Sequence, residues 1–218
     1  MKKRIAVLIS GSGSNLQAVI DAIDAGMINA EIVLVISNKA DAYGITRAQK
    51  AGIPTLLLQH THSPSRTDFD LAMLDHLEQQ RVDLVVLAGF MRILSAEFVR
   101  HFCGRMLNIH PSLLPKYKGL HTHQRAIEAG DAEHGCSVHF VTAQLDDGPV
   151  ALQAIVPVTA TDTEQLLQQK VHKREHIAYP KVIAWFCADH LRCSDNKLYL
   201  NDELLPANGF KLAFDAQN

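Results

Sequence analysis

Four short, largely apolar runs, separated by segments of helical period, limit what this chain can fold into more than any other feature. The runs lie at residues 5–9, 32–36, 54–58 and 84–88. After the first, Leu16, Val19, Ile20 and Ile23 recur at i, i+3, i+4 and i+7, the stripe of an amphipathic helix. A second helix is expected over about 45–51, ended by Gly52, and a third over 69–77. Strands that are apolar throughout must be covered on both faces, and strand–helix alternation places them parallel. The expectation is an α/β fold: a Rossmann-like open, mostly parallel twisted sheet with helices on both faces.

The second half breaks that rhythm. A short helix over 96–100 precedes a strand over 106–110, a loop with two prolines over 111–119, and a helix over about 122–129. Strands at 137–141 and 150–156 bracket Asp146-Asp147-Gly148-Pro149 and are expected to be antiparallel. Thr161 and Glu164 fit a capping box that opens a helix running to about residue 187. Pro180 is expected to kink or divide that helix. A small hairpin closes the pattern over about 191–205. The 218 residues suit one domain. Its N-terminal half, about 1–100, would bind phosphate, and its C-terminal half, about 101–190, would carry the chemistry.

Composition narrows the classes further. At 47% hydrophobic and 20% charged, the chain can bury a core. A net charge of -2 offers nothing to nucleic acid or an anionic membrane, so neither is expected as a partner. No apolar stretch approaches the roughly 18 residues of a spanning helix. Cys103, Cys136, Cys187 and Cys193 form no CxxC pair and read as reduced thiols. The run after Met1-Lys2-Lys3-Arg4 is shorter than a signal peptide's apolar region, so a cytoplasmic location is expected.

Ser10-Gly11-Ser12-Gly13-Ser14-Asn15 joins the first strand to the first helix. Glycines let backbone approach a ligand, and a helix N-terminus favours an anion, so Gly11, Ser12, Gly13, Ser14 and Asn15 are candidates for a phosphate. The pattern is GxGxxL rather than GxGxxG. The second strand ends on Ser37-Asn38-Lys39 with no acidic residue, and no Walker lysine follows. A monophosphate fits better than a dinucleotide or ATP.

Leu107-Asn108-Ile109-His110-Pro111 carries the other signal. Side chains two apart on a strand share a face, so Asn108 and His110 project together. An amide N–H and an imidazole suit the oxyanion of an acyl transfer. A carboxylate would orient the imidazole; Asp146 and Asp147 are both candidates. The remaining histidines show no ligand spacing, and no metal is expected. Neither a nucleophile elbow nor a catalytic cysteine signature is present, which leaves the attacking group to the substrate.

With these residues in view, the chain resembles the phosphoribosylglycinamide formyltransferase family over about residues 4–205. The resemblance rests on Ile9-Ser10-Gly11-Ser12-Gly13-Ser14-Asn15-Leu16, Ser37-Asn38-Lys39-Ala40, Leu87-Ala88-Gly89-Phe90-Met91-Arg92-Ile93-Leu94, Asn108-Ile109-His110-Pro111-Ser112-Leu113-Leu114-Pro115, Gly119-Leu120-His121-Thr122-His123 and Val138-His139-Phe140-Val141. It implies a catalytic trio of Asn108, His110 and Asp146, and a substrate-phosphate loop at Gly13, Ser14 and Asn15. Glu175 would meet the substrate's amine end. Phe90, Met91, Arg92, Ile93 and Leu94 would form the folate pocket, the backbone of Arg92 and Leu94 reading the pterin. Val141, Thr142 and Gln144 would close over the same ring.

The resemblance further implies 10-formyltetrahydrofolate as co-substrate, glycinamide ribonucleotide as acceptor, and a monomer or weak homodimer. Ala143 and Gln144 stand where acidic residues are common, and Asp147 where a small residue is commoner. Two related enzymes fit less well. A transferase acting on initiator methionyl-tRNA would add a nucleic-acid-binding domain, and only about 60 residues follow Thr159. A formyltetrahydrofolate hydrolase would carry an N-terminal regulatory domain, and here the fold begins at Arg4. A non-catalytic nucleotide sensor would keep the phosphate loop without needing Asn108, His110 and Asp146 together.

Overall fold

The computed structural model describes residues 1–214 and divides into two compact units, Met1–Asn108 and a second beginning at Ile109. In the first, β1 (Lys3–Ile9), β2 (Ala30–Ser37), β3 (Thr55–Leu57), β4 (Leu84–Leu87) and the start of β5 (Met106–His110) are all parallel. Their order is β5-β4-β1-β2-β3. Ile5, Ala6, Val7, Leu8 and Ile9 are wholly buried, as the unbroken apolar run requires. Helices α1 (Ser14–Asp24), α2 (Tyr43–Lys50), α3 (Arg66–Gln79) and α4 (Ala96–His101) connect the strands. Leu16, Val19 and Ile20 form the buried stripe of α1, each such side chain contributing roughly 1.5–3 kcal/mol.

Strand order decides where ligands can bind in this unit. The chain runs from β1 outward to β2 and β3, then returns to lay β4 on the other side of β1. Loops leaving β1 and β4 therefore diverge at a topological switch point, the usual crevice of an open α/β sheet. The glycine-rich segment leaves β1, and the 89–95 segment leaves β4.

The second unit holds α5 (Thr122–Glu128), β6 (Glu133–Phe140), β7 (Val150–Pro157) and α6 (Glu164–Cys187). β6 and β7 are antiparallel, and β11 (Phe210–Leu212) adds to β7 in parallel. A separate antiparallel sheet joins β8 (Leu191–Ser194), β9 (Lys197–Leu200) and β10 (Glu203–Leu204). The fold class is thus as expected: mostly parallel strands with helices, antiparallel pairing confined to the later part.

Three details differ from the sequence reading. The cap of α6 is Thr163, whose hydroxyl accepts the Leu166 N–H at 3.3 Å, while Thr161 bonds Thr159 in the preceding turn. Pro180 does not divide α6; Ala178, Tyr179, Val182 and Ile183 are wholly buried around it, and that packing outweighs one missing N–H. The tail forms three strands rather than a hairpin, because Asp195-Asn196 and Asn201-Asp202 both take the positive φ of two-residue turns. None of the helices is long and apolar enough to cross a membrane among the described residues, and Cys103, Cys136, Cys187 and Cys193 form no disulfide there.

Candidate active site

The loop after β1 is held by its carbonyls. Gly11 O accepts the Gly44 N–H at 3.0 Å, Ser12 O accepts Arg47 Nε–H at 2.9 Å, and Gly13 O accepts the Gln17 N–H at 2.9 Å. Carbonyl oxygens, which repel anions, are thus occupied by α1 and α2, leaving the start of α1 as an anion-seeking end. Gly13 takes φ +70°, and a Cβ there would lie 2.6 Å from the Gly44 Cα. Only glycine fits this backbone-to-backbone contact. Gly11 and Ser12 are exposed, Ser14 and Asn15 half-buried.

The segment leaving β4 contains the expected folate residues. Met91 and Ile93 are exposed, Phe90 and Arg92 half-buried, and Leu94 buried. The Arg92 guanidinium lies 4.8 Å over the Phe69 ring. Two side chains pin the backbone: Ser10 Oγ accepts the Met91 N–H at 2.8 Å, and the buried Asp70 accepts the Ser95 N–H at 2.5 Å. Neither Ser10 nor Asp70 was singled out by residue pattern, because each acts on backbone distant in sequence.

Asn108 and His110 lie two apart on β5, with Asn108 half-buried and His110 buried. Asp146 Oδ2 sits 3.4 Å from His110 Nδ1. Asp147, the competing candidate, instead pairs with Lys118 at the surface. Asp146 adopts φ +47°, a conformation that Asp tolerates better than most residues, and this turns its carboxylate inward. Gly148 permits the turn, since a Cβ would fall 1.8 Å from Phe140 O.

The other His110 nitrogen, Nε2, donates to Tyr117 O at 2.9 Å. Both ring nitrogens therefore face acceptors, an arrangement that two N–H donors satisfy and one does not. Tyr117 is fixed in turn: its hydroxyl donates to Asp131 Oδ2 at 2.7 Å beside Lys116, which reaches Asp131 Oδ1 at 2.8 Å. These bonds hold the Asp131 carboxyl below its usual range. A further imidazole, His139, places Nε2 at 3.7 Å from Asp146 Oδ1. Burial holds His139 below the ordinary histidine range, with its bond to Phe140 O and the Asp146 charge opposing.

A second buried imidazole pair lies nearby in the chain. His123 Nδ1 and His134 Nε2 are 3.1 Å apart, and burial lowers each ring to about 4. A cavity of ≈ 400 Å³ is lined by Thr142, Ala143, Gln144, Asp147, Pro149 and Asn196. Val141, which precedes Thr142 in the chain, is half-buried and is not part of this lining. Asn196, in the β8–β9 turn, joins this lining although no motif marked it. Glu175 is buried on α6, close enough to Cys136 to help burial push that thiol up. No group of three His, Cys, Asp or Glu side chains suited to a metal occurs among the described residues.

Residues 3–183 match the family profile described as "Formyl transferase". The phosphoribosylglycinamide formyltransferase of Escherichia coli strain K12 is 53% identical over 206 residues, covering 94% of this chain and 97% of that one. The solved phosphoribosylglycinamide formyltransferase of Coxiella burnetii superposes with a TM-score of 0.94 at 50% identity, covering 97% of this chain and all of that one. A formyltetrahydrofolate deformylase from Burkholderia mallei shares the fold, with a TM-score of 0.84 at 24% identity over 92% of this chain and 70% of its own. Sequence and fold place the chain in the formyl transferase family, among its phosphoribosylglycinamide formyltransferases, and it is an enzyme.

Proposed function

We propose that the chain transfers the formyl group of 10-formyltetrahydrofolate to the primary amine of glycinamide ribonucleotide, yielding formylglycinamide ribonucleotide and tetrahydrofolate in de novo purine biosynthesis. The observation that best supports this reading is the His110–Asp146 pair at 3.4 Å with Asn108 two residues earlier on β5.

The amine nitrogen attacks the formyl carbon, and its carbonyl electron pair moves onto oxygen. Asn108 and His110 donate hydrogen bonds to that oxyanion, each such donor being worth roughly 2.7–4 kcal/mol in the transition state. To serve it, His110 Nε2–H exchanges the Tyr117 carbonyl for the formyl oxygen. Asp146 orients the ring and balances its charge. The tetrahedral adduct collapses as the bond from formyl carbon to N10 breaks. The proton lost by the amine, relayed by His110, Asp146 or water, ends on N10. Gly11, Ser12, Gly13, Ser14 and Asn15 hold the substrate phosphate, spending remote binding energy on alignment of the amine. Glu175 engages the amine end. Phe90, Met91, Arg92, Ile93, Leu94, Val141, Thr142 and Gln144 hold the folate. The chain works without metal, in the cytoplasm, as a monomer or weak homodimer.

The test is an absorbance assay with 10-formyltetrahydrofolate, run with and without glycinamide ribonucleotide. Turnover that requires the amine supports the transferase. Equal turnover without it makes the protein a hydrolase, and no turnover makes it a binding domain.

A further inference from the structure

Ser10 lies at the end of β1, 6% exposed, between the two loops that the switch point separates. Its hydroxyl donates to Asn38 Oδ1 at 2.6 Å and accepts the Met91 N–H at 2.8 Å. Asn38 follows β2 and is 4% exposed. One hydroxyl thus ties the ends of β1, β2 and β4 together, and both its donor and an acceptor site are committed. Its own backbone leads directly into Gly11, and its acceptor role fixes the amide of Met91, whose side chain stays 67% exposed.

We propose that Ser10 is a positioning residue that couples the phosphate loop to the 89–95 loop, so that filling one raises affinity at the other. The proposal rests on the assignment of those loops to glycinamide ribonucleotide and folate. Two properties of the triad carry it. The Ser10–Asn38 bond is buried and the Ser10–Met91 bond part-buried, so water does not readily replace either when it is lost. They also run between strand ends and loop backbone, so a shift of Gly11 toward a phosphate moves the same oxygen that places Met91. Arg47 holds the backbone of Ser12 in the first loop, and Asp70 holds that of Ser95 in the second. Coupling requires one element that both ligands bias, and is reciprocal.

The experiment is calorimetric titration of the full chain with glycinamide ribonucleotide, alone and with saturating tetrahydrofolate, which carries no formyl group and gives a dead-end complex. The wild type is expected to bind the nucleotide about fivefold or more tightly when folate is present. Ser10→Ala brings that ratio to about one, whatever the separate constants do, and Ser10→Thr, which keeps the hydroxyl, restores it. A merely structural role would weaken both ligands and leave the ratio intact. A ratio of one in the wild type, or an unchanged ratio in Ser10→Ala, overturns the proposal. Should Ser10→Ala fail to fold, Ser10→Cys, close in shape with a much weaker donor, is measured instead and carries the same expectation. Failure of the wild type to bind either ligand would strike the functional assignment instead.

Discussion

Asp146 holds His110 and the backbone of Gly119 with the same oxygen: Oδ2 lies 3.4 Å from His110 Nδ1 and accepts the Gly119 N–H at 3.0 Å. The carboxylate therefore orients the imidazole and fixes the loop that carries the Tyr117 carbonyl. Asp146→Asn keeps an oxygen for Gly119 and removes the charge. We expect kcat to fall by about 10²–10⁴, with a much smaller change in KM for the nucleotide. Steady-state kinetics beside a thermal melt check this; an unaltered kcat would remove Asp146 from the chemistry.

Asn108 offers a neutral donor from the same strand. Asn108→Ala should lower kcat by about 10²–10³ with little effect on substrate KM, as for a donor engaged mainly in the transition state. Wild-type kcat in the variant would end its role as an oxyanion donor.

His123 and His134 make stability depend on pH. Their 3.1 Å contact needs a lone pair on one ring, so it cannot form between two imidazolium ions. Both rings titrate at about 4, mainly through burial, against an ordinary 6.5. Folded values below unfolded ones mean that the stability is fully present above pH 6.5 and is lost as pH falls toward 4, by an amount on the order of 3 kcal/mol for each ring. Urea unfolding across that window should show the decline. His134→Gln, which takes up no proton there, should flatten it; an equally steep slope in that variant would refute the assignment.

Asp147 stands where the family resemblance led us to expect a small residue, and the structure pairs it with Lys118. Both side chains are more than a third exposed, so the pair should contribute about 0–1 kcal/mol. Asp147→Ala is expected to leave the melting temperature within a few degrees and to shift KM for folate modestly, by a margin that shrinks in high salt. A tenfold rise in KM that persists in high salt would show that Asp147 meets the folate directly.

Much of this was legible in the sequence, for reasons that also mark where legibility stops. Unbroken apolar runs such as Ile5 to Ile9 read as buried parallel strands because both their faces are covered. Asn108 and His110 were legible because strand period puts them on one face. The choice between Asp146 and Asp147 was not derivable from residue pattern, since it turns on the φ of Asp146 and a contact 36 residues away. The Thr161 capping pattern misled because Thr163 offers the same hydroxyl two residues later. β11 escaped notice: Phe210, Lys211 and Leu212 alternate apolar and polar, but three residues on a sheet edge are too few to mark a strand. Tyr117 acts through its carbonyl, which no side-chain pattern can announce.

The close approach of Gly13 to Gly44 has a consequence for how this protein can change over time. Each residue's missing Cβ is the other's van der Waals space, since a Cβ on Gly44 would also lie 3.2 Å from the Gly13 Cα and 2.5 Å from Ile9 Cδ1. In terms of mutational robustness, positions 13 and 44 act as one locus with a single permitted state. Compensation by a paired exchange is closed, because enlarging either partner intrudes on the other. Adaptation of the loop to a different anion must therefore enter through Ser12, Ser14 or Arg47, whose side chains can vary without separating the two backbones.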